Sequence, residues 1–195
     1  MARVRPSPSP ERTGRRLLTV ETIWLQRLYI LFFIELGSRR VHTAGCTANP
    51  TAPWVIQQAR HLSWALSERA EPIRFLIRDR DQKFTDAFDE VFRAEKIEVV
   101  RTPFRAPQAN GVAERFVRTA RSECFDRLLI LNQRHLERIC AAFVDHYNGH
   151  RPHRALSLAP PEPRRPAATV SPSADARVVR RDRLGGVVHE YDLAA

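Results

Sequence analysis

The stretch from Ile73 to Arg121, IRFLIRDRDQKFTDAFDEVFRAEKIEVVRTPFRAPQANGVAERFVRTAR, constrains what the rest of the chain can fold into. It opens on Phe75, Leu76 and Ile77, an apolar run short enough to be a buried strand, and Asp79 falls where that strand ends. Open α/β sheets place their chemistry at the ends of such strands. Glu114 follows 35 positions later, on a segment that reads as a helix opened by Gln108, Ala109, Asn110 and Gly111. On that helix Val112, Phe116, Ala120, Cys124 and Leu128 recur at four-residue spacing, while Glu114, Arg118 and Arg121 share a different face. One face can lie on a sheet and the other can present a carboxylate flanked by guanidinium groups. That combination suits a place where metal ions and a polyanion meet.

The flanking sequence supplies the remaining layers. From Leu17 the runs LLTVETIWL, RLYILFFIEL and RRVHTAGCT predict three antiparallel strands, the last two joined by a turn at Gly37-Ser38. Thr51 and Pro53 open a helix expected from about Ala52 to Arg69, with Trp54, Ile56, Ala59, Leu62 and Leu66 on its apolar face. A second helix is expected from Thr85 to Lys96, then a strand over Ile97 to Arg101 and a last helix from Gln133 to Tyr147. His146, His150 and His153 do not form a zinc pattern, because Arg151 and Pro152 interrupt them and no Cys or acid joins them in sequence.

The net charge of +10 favours a polyanionic partner. Three cysteines, Cys46, Cys124 and Cys140, are odd in number and set among apolar residues, which predicts buried thiols in a reducing compartment. The longest uncharged apolar run, Leu28 to Ile34, is far too short to span a bilayer, and the basic, proline-rich start carries no secretory signal. The chain is therefore expected to be cytoplasmic, with no membrane partner.

Three motifs in order resemble one family. Asp79 followed five positions later by Phe84, the run PQANGVAERFVR from Pro107 to Arg118, and HYNGHRPHRAL from His146 to Leu156 are similar to the DDE-type integrase core of bacterial insertion-sequence transposases, in the retroviral-integrase superfamily. The resemblance implies a ribonuclease-H-like α/β fold, with a mixed central sheet flanked by helices, over residues 17–158. Residues 1–16 are expected to be a disordered basic tail, 159–176 a proline-rich linker and 177–195 a short basic module with a possible hairpin about Gly185-Gly186.

The resemblance further implies DNA integration by two-metal phosphodiester cleavage and strand transfer, with Mg²⁺ or Mn²⁺ held by Asp79 and Glu114. The partners implied are DNA, both element ends and target, and further copies of the chain as a homo-oligomer. Arg101 and Arg105, on a loop that contacts DNA in the family, join Lys83, Arg118, Arg121 and Arg151 as expected phosphate contacts. Asp81 reads as a turn residue bonding to backbone, and Glu123 as plain surface.

One acid of the family's set is missing. The family's opening pattern, an acid, two apolar residues and Thr-Val-Glu-Thr, laid on Leu17 to Thr22 puts Arg16 at the acid's position. Glu21 lies roughly 17 Å further along the strand on the opposite face. It cannot stand in where two ions sit about 4 Å apart. Glu35 is the remaining candidate. The sequence thus predicts an integrase core shortened at its amino-terminal side, with a catalytically inactive DNA-binding remnant as the alternative.

Overall fold

The computed structural model describes residues 12–67, 72–78, 81–101, 107–163 and 177–194, with side chains left out at 12–16, 107–110 and 193–194. Three antiparallel strands come first: β1 (Arg12–Glu21), β2 (Arg27–Glu35) and β3 (Val41–Thr47). Then follow α1 (Ala52–Ser67), β4 (Phe75–Arg78), α2 (Asp86–Ala94), β5 (Glu98–Arg101), α3 (Pro107–Glu123) and α4 (Gln133–Gly149). The sheet order is β3-β2-β1-β4-β5, with β4 parallel to both β1 and β5.

β2 is an inner strand, and its unbroken apolar run is explained by burial on both faces. Leu28, Ile30, Phe32 and Ile34 point into one core cluster, and Leu31 and Phe33 into the other. The first cluster is formed with α3 and α4, where Phe116 lies 4.7 Å from Phe32 and 5.0 Å from Tyr147, ring centre to ring centre. The second is formed with α1 and α2, where Phe84, Phe88 and Phe92 stack in series at 5.3 and 5.0 Å. The buried face of α1 is turned slightly from the expected one, because Val55 and Ser63 go inward in place of Trp54 and Ile56. On α1 the fully covered residues are Val55, Ala59, Leu62, Ser63 and Leu66, while Trp54 and Ile56 sit at the rim.

The structure moves three expected boundaries. β1 begins at Arg12, so residues 12–16, expected in a disordered tail, are strand paired with β2 and β4. Residues 1–11 lie outside the described residues, as do 68–71, 79–80, 102–106 and 164–176. α3 ends at Glu123, and Cys124 and Leu128 continue its buried stripe through a 3-10 turn at Phe125–Arg127. The carboxy-terminal module is the hairpin β6 (Arg177–Arg183) and β7 (Val188–Ala194). It is not separate from the core: Val188 is buried in the α3–α4 cluster and Leu184 and Val187 pack on it.

Candidate active site and nucleic-acid surface

The geometry of the expected site starts from the β1–β4 register. Gly14 pairs with Ile77, and β4 ends one residue later at Arg78, which is buried against Asp89 of α2 with Nη2 to Oδ2 at 2.6 Å. Asp79 follows Arg78 in sequence but lies outside the described residues. Glu114 stands half-buried in the second turn of α3, a helix that packs across β1 and β2. Arg121, on the same helical face, donates from Nη2 to the Thr19 carbonyl at 2.6 Å and so clamps α3 to β1. It also pairs with Asp126 at 3.5 Å.

Position 16 pairs with Phe32, whose side chain lies on the α3 face. The one carboxylate within β1 is Glu21 at its end, exposed and paired with Arg27 at 3.4 Å. Glu35 does not take its place. It pairs with Thr13, three residues from Arg16 along β1, about 10 Å away along the strand. It is also three residues from Phe32, so alternation sends it to the other face of β2. There it is fully buried and engaged, its Oε1 2.7 Å from His42 Nε2 and its Oε2 accepting from the Ser38 hydroxyl at 2.5 Å. Its carboxylate closes the β2–β3 turn.

The other expected residues fall on different elements. Asp81 is the turn residue expected, accepting from the Lys83 backbone N–H at 3.0 Å, and the Lys83 ammonium lies 3.4 Å from its other oxygen. Arg101 ends β5 and bonds to Asp86 and, at 3.2 Å, to Asp89. Arg105 lies outside the described residues. Arg118 is exposed and has no ion pair among the described residues. Arg151 makes a bidentate pair with Glu123, at 2.8 and 2.7 Å, with its guanidinium 5.7 Å from the Tyr147 ring centre. Glu123, expected as plain surface, therefore holds the chain after α4 onto α3. Asn148 does the same for α4 and β3, accepting from Val41 N–H at 2.9 Å and donating to Val41 C=O at 2.8 Å.

Sequence reasoning missed two groupings. A cavity of about 560 Å³ opens between α3 and the segment after α4, and Arg39, Arg115, Arg151 and Arg154 line it. Arg39 comes from the β2–β3 turn, so no linear pattern announces the cluster. The second is the group His146, His150 and Glu190, whose ligating atoms all lie within 4.8 Å of one another. Among the described residues it is the one such trio of metal-ligating side chains. The statement that no acid joins these histidines holds along the sequence and fails in space, because β7 brings Glu190 to them. Burial holds His146 below the ordinary histidine range, against the opposing pull of Glu190.

Residues 95–161 match the family model described as Integrase core domain. No curated protein matches the sequence. Among solved structures, a chain of the simian T-cell lymphotropic virus intasome is similar at 13% identity and TM-score 0.56, covering 95% of this chain and 67% of that one. The catalytic core domain of BIV integrase is similar at 14% identity and TM-score 0.50, covering 78% of this chain and 91% of that one. The HTLV-2 integrase catalytic core domain, solved in complex with magnesium in a trimeric form, is 12% identical at TM-score 0.47, covering 71% and 85%. The fold is that of integrase catalytic cores, a ribonuclease-H-like fold. Residues 95–161 are thus similar to an integrase core domain.

Proposed function

We propose that this chain acts on DNA as the integrase core of an insertion-sequence transposase, and that with Arg16 in place it binds DNA ends without cutting them. The observation that carries the reading is the placement of α3 across β1 in an integrase-core fold, with Glu114 on its partly open side and Arg118 and Arg121 beside it. A net charge of +10 supports the polyanionic partner. Lys83, Arg101, Arg105, Arg118, Arg121 and Arg151 are the proposed phosphate contacts, and the arginine-lined cavity beside α3 adds Arg39, Arg115 and Arg154.

Cleavage and strand transfer by such a core need two Mg²⁺ or Mn²⁺ ions in a cage of carboxylate oxygens. Asp79 and Glu114 are the proposed ligands. Among the described residues of β1 and β2 no third carboxylate joins them: β1 has an arginine at position 16, Glu21 is exposed and paired with Arg27, and Glu35 is on the other face. A cationic side chain where a ligand belongs opposes the ions. The residues as they stand do not fit the two-ion cage, and this favours the reading as a DNA-binding core over that as a working nuclease. Self-association on two DNA ends belongs to the same proposal. So does a place in the reducing cytoplasm, where Cys46, Cys124 and Cys140 stay as the buried free thiols they are here. No helix among the described residues is long and apolar enough to cross a membrane.

The test is a gel-shift and strand-transfer assay on a duplex carrying the neighbouring element's terminal repeats, with Mg²⁺ or Mn²⁺. The natural chain should shift the duplex and leave it intact. Arg16→Asp should nick and join it, and adding Glu114→Gln should abolish that activity. Nicking by the natural chain at the rate of Arg16→Asp would show that another acid completes the cage. Absence of binding in all three would end the DNA reading.

A further inference from the structure

The histidines of α4 and the acid of the terminal hairpin form a buried trio away from the proposed DNA chemistry. His146 and His150 are one helical turn apart, so both rings leave the same side of α4, and they stack with planes 2° apart. β7 lies against that side and presents Glu190, which is 1% exposed. His146 Nδ1 and His150 Nδ1 each stand 3.5 Å from the same atom, Glu190 Oε1. All three of these atoms are buried and have no hydrogen-bond partner. A separation of 3.5 Å is too long for either imidazole to satisfy the carboxylate.

Buried polar atoms are ordinarily paired, and three orphans converging on one point indicate a missing partner that serves all of them. Only a cation can accept lone pairs from two neutral imidazoles and a carboxylate together. Tetrahedral zinc, with bonds of about 2.0 to 2.2 Å, sets its ligand atoms about 3.4 Å apart. The two 3.5 Å nitrogen-to-oxygen contacts are within about a tenth of an ångström of that spacing, and the two nitrogens, within 4.8 Å of each other, close toward it on binding. The donor set of two imidazoles and one carboxylate selects a first-row transition ion over Mg²⁺ or Ca²⁺, which take oxygen ligands. The carboxylate is already aimed, since its other oxygen accepts from Arg183 Nε at 3.1 Å, and Arg183 in turn donates to Asp145 at 2.9 Å. Such outer contacts fix the ligand orientation of metal sites.

We propose that His146, His150 and Glu190 bind one divalent transition-metal ion, Zn²⁺ by chemistry, which clips the β6–β7 hairpin onto α4. The ion has a structural role. It fixes the hairpin on the core, independently of whether the DNA reading holds.

The full chain, stripped with a chelator, is titrated with Co²⁺ and then Zn²⁺. The natural chain should take up about one equivalent of Co²⁺ with the visible absorption of a four-coordinate site, and Zn²⁺ should displace it. Glu190→Gln and His150→Ala should each weaken Zn²⁺ binding by more than about a hundredfold, and Arg183→Ala by about ten- to a hundredfold. Glu114→Gln should leave the titration unchanged, which separates this site from the proposed catalytic carboxylates. X-ray absorption at the zinc edge of the natural chain should show two imidazole ligands, a reading that survives even if the variants do not fold. No uptake by the natural chain, unaltered uptake in folded Glu190→Gln, loss of uptake in Glu114→Gln, or a zinc shell without imidazole would each overturn the proposal.

Discussion

Two carboxylates on the α3–α4 side of the sheet make an instructive contrast. Glu114 announces itself by a contiguous motif, yet it stands half-exposed, and position 16 on the strand beside it, where the proposed cage calls for a third acid, is an arginine. Glu190 sits in an unremarkable run near the end of the chain, yet it is buried with two histidines converging on it. A motif is local in sequence and does not specify what packs around it. A spatial cluster owes nothing to motif and is visible only once two distant elements are packed together.

The largest effects test whether the two centres share one support. Phe116 touches Phe32 of β2 and Phe143 and Tyr147 of α4, so it couples the helix of Glu114 to the helix of the histidines. Phe116→Ala should cost about 3–5 kcal/mol in urea denaturation and lower Zn²⁺ uptake together with DNA binding. A midpoint that barely moves would mean the two centres are supported separately. Comparable in size is Asp89→Ala on the other face, because it leaves Arg78 buried at the end of β4 with a broken ion pair. The expected loss is about 3–5 kcal/mol. It should weaken the Glu114 side while leaving metal uptake by folded protein at the terminal hairpin unchanged, and an equal loss of both would erase the contrast.

Asn148→Ala removes two buried hydrogen bonds between α4 and β3 and leaves Val41 N–H and C=O unpaired. A loss of about 1–3 kcal/mol in the same denaturation measurement is expected. The smallest effect is on pH dependence. His153 is 8% exposed, and burial, then the nearby charge of Arg151, holds it below the ordinary 6.5. The folded chain therefore favours neutral His153, so its contribution is present above pH 6.5 and is lost as the pH falls below that value. One such group changes stability by at most about 1.4 kcal/mol per pH unit. Thermal melts from pH 7 downward should be flatter for His153→Gln than for the natural chain, and identical slopes would assign the acid sensitivity elsewhere.

Much of the sheet was legible because its strands are marked by composition. Leu28 to Ile34 reads as a strand, and it is one, covered on both faces in the structure. The α2 and α4 stripes of Phe88, Phe92, Leu136, Ile139 and Phe143 are buried as their spacing requires. The start of β1 was not legible: Arg12, Thr13, Gly14, Arg15 and Arg16 carry no apolar alternation, and only pairing with β2 and β4 makes them strand. For the candidate site, the helix that carries Glu114 could be read from the motif. The partners of Arg121, Arg151 and Glu35 could not, because each lies on a different element.

By itself, then, the sequence determined the order of strands and helices and the cationic character, since these depend on local periodicity and summed charge. Tertiary structure decided which charges are neutralised and which side chains meet. It tied Arg151 to Glu123 and Arg121 to Thr19, turned Glu35 away from β1's partner face, and set Glu190 against His146 and His150. The physical reason is that pairing energies depend on distance and burial in three dimensions, and neither quantity is written in the spacing of residues along a chain.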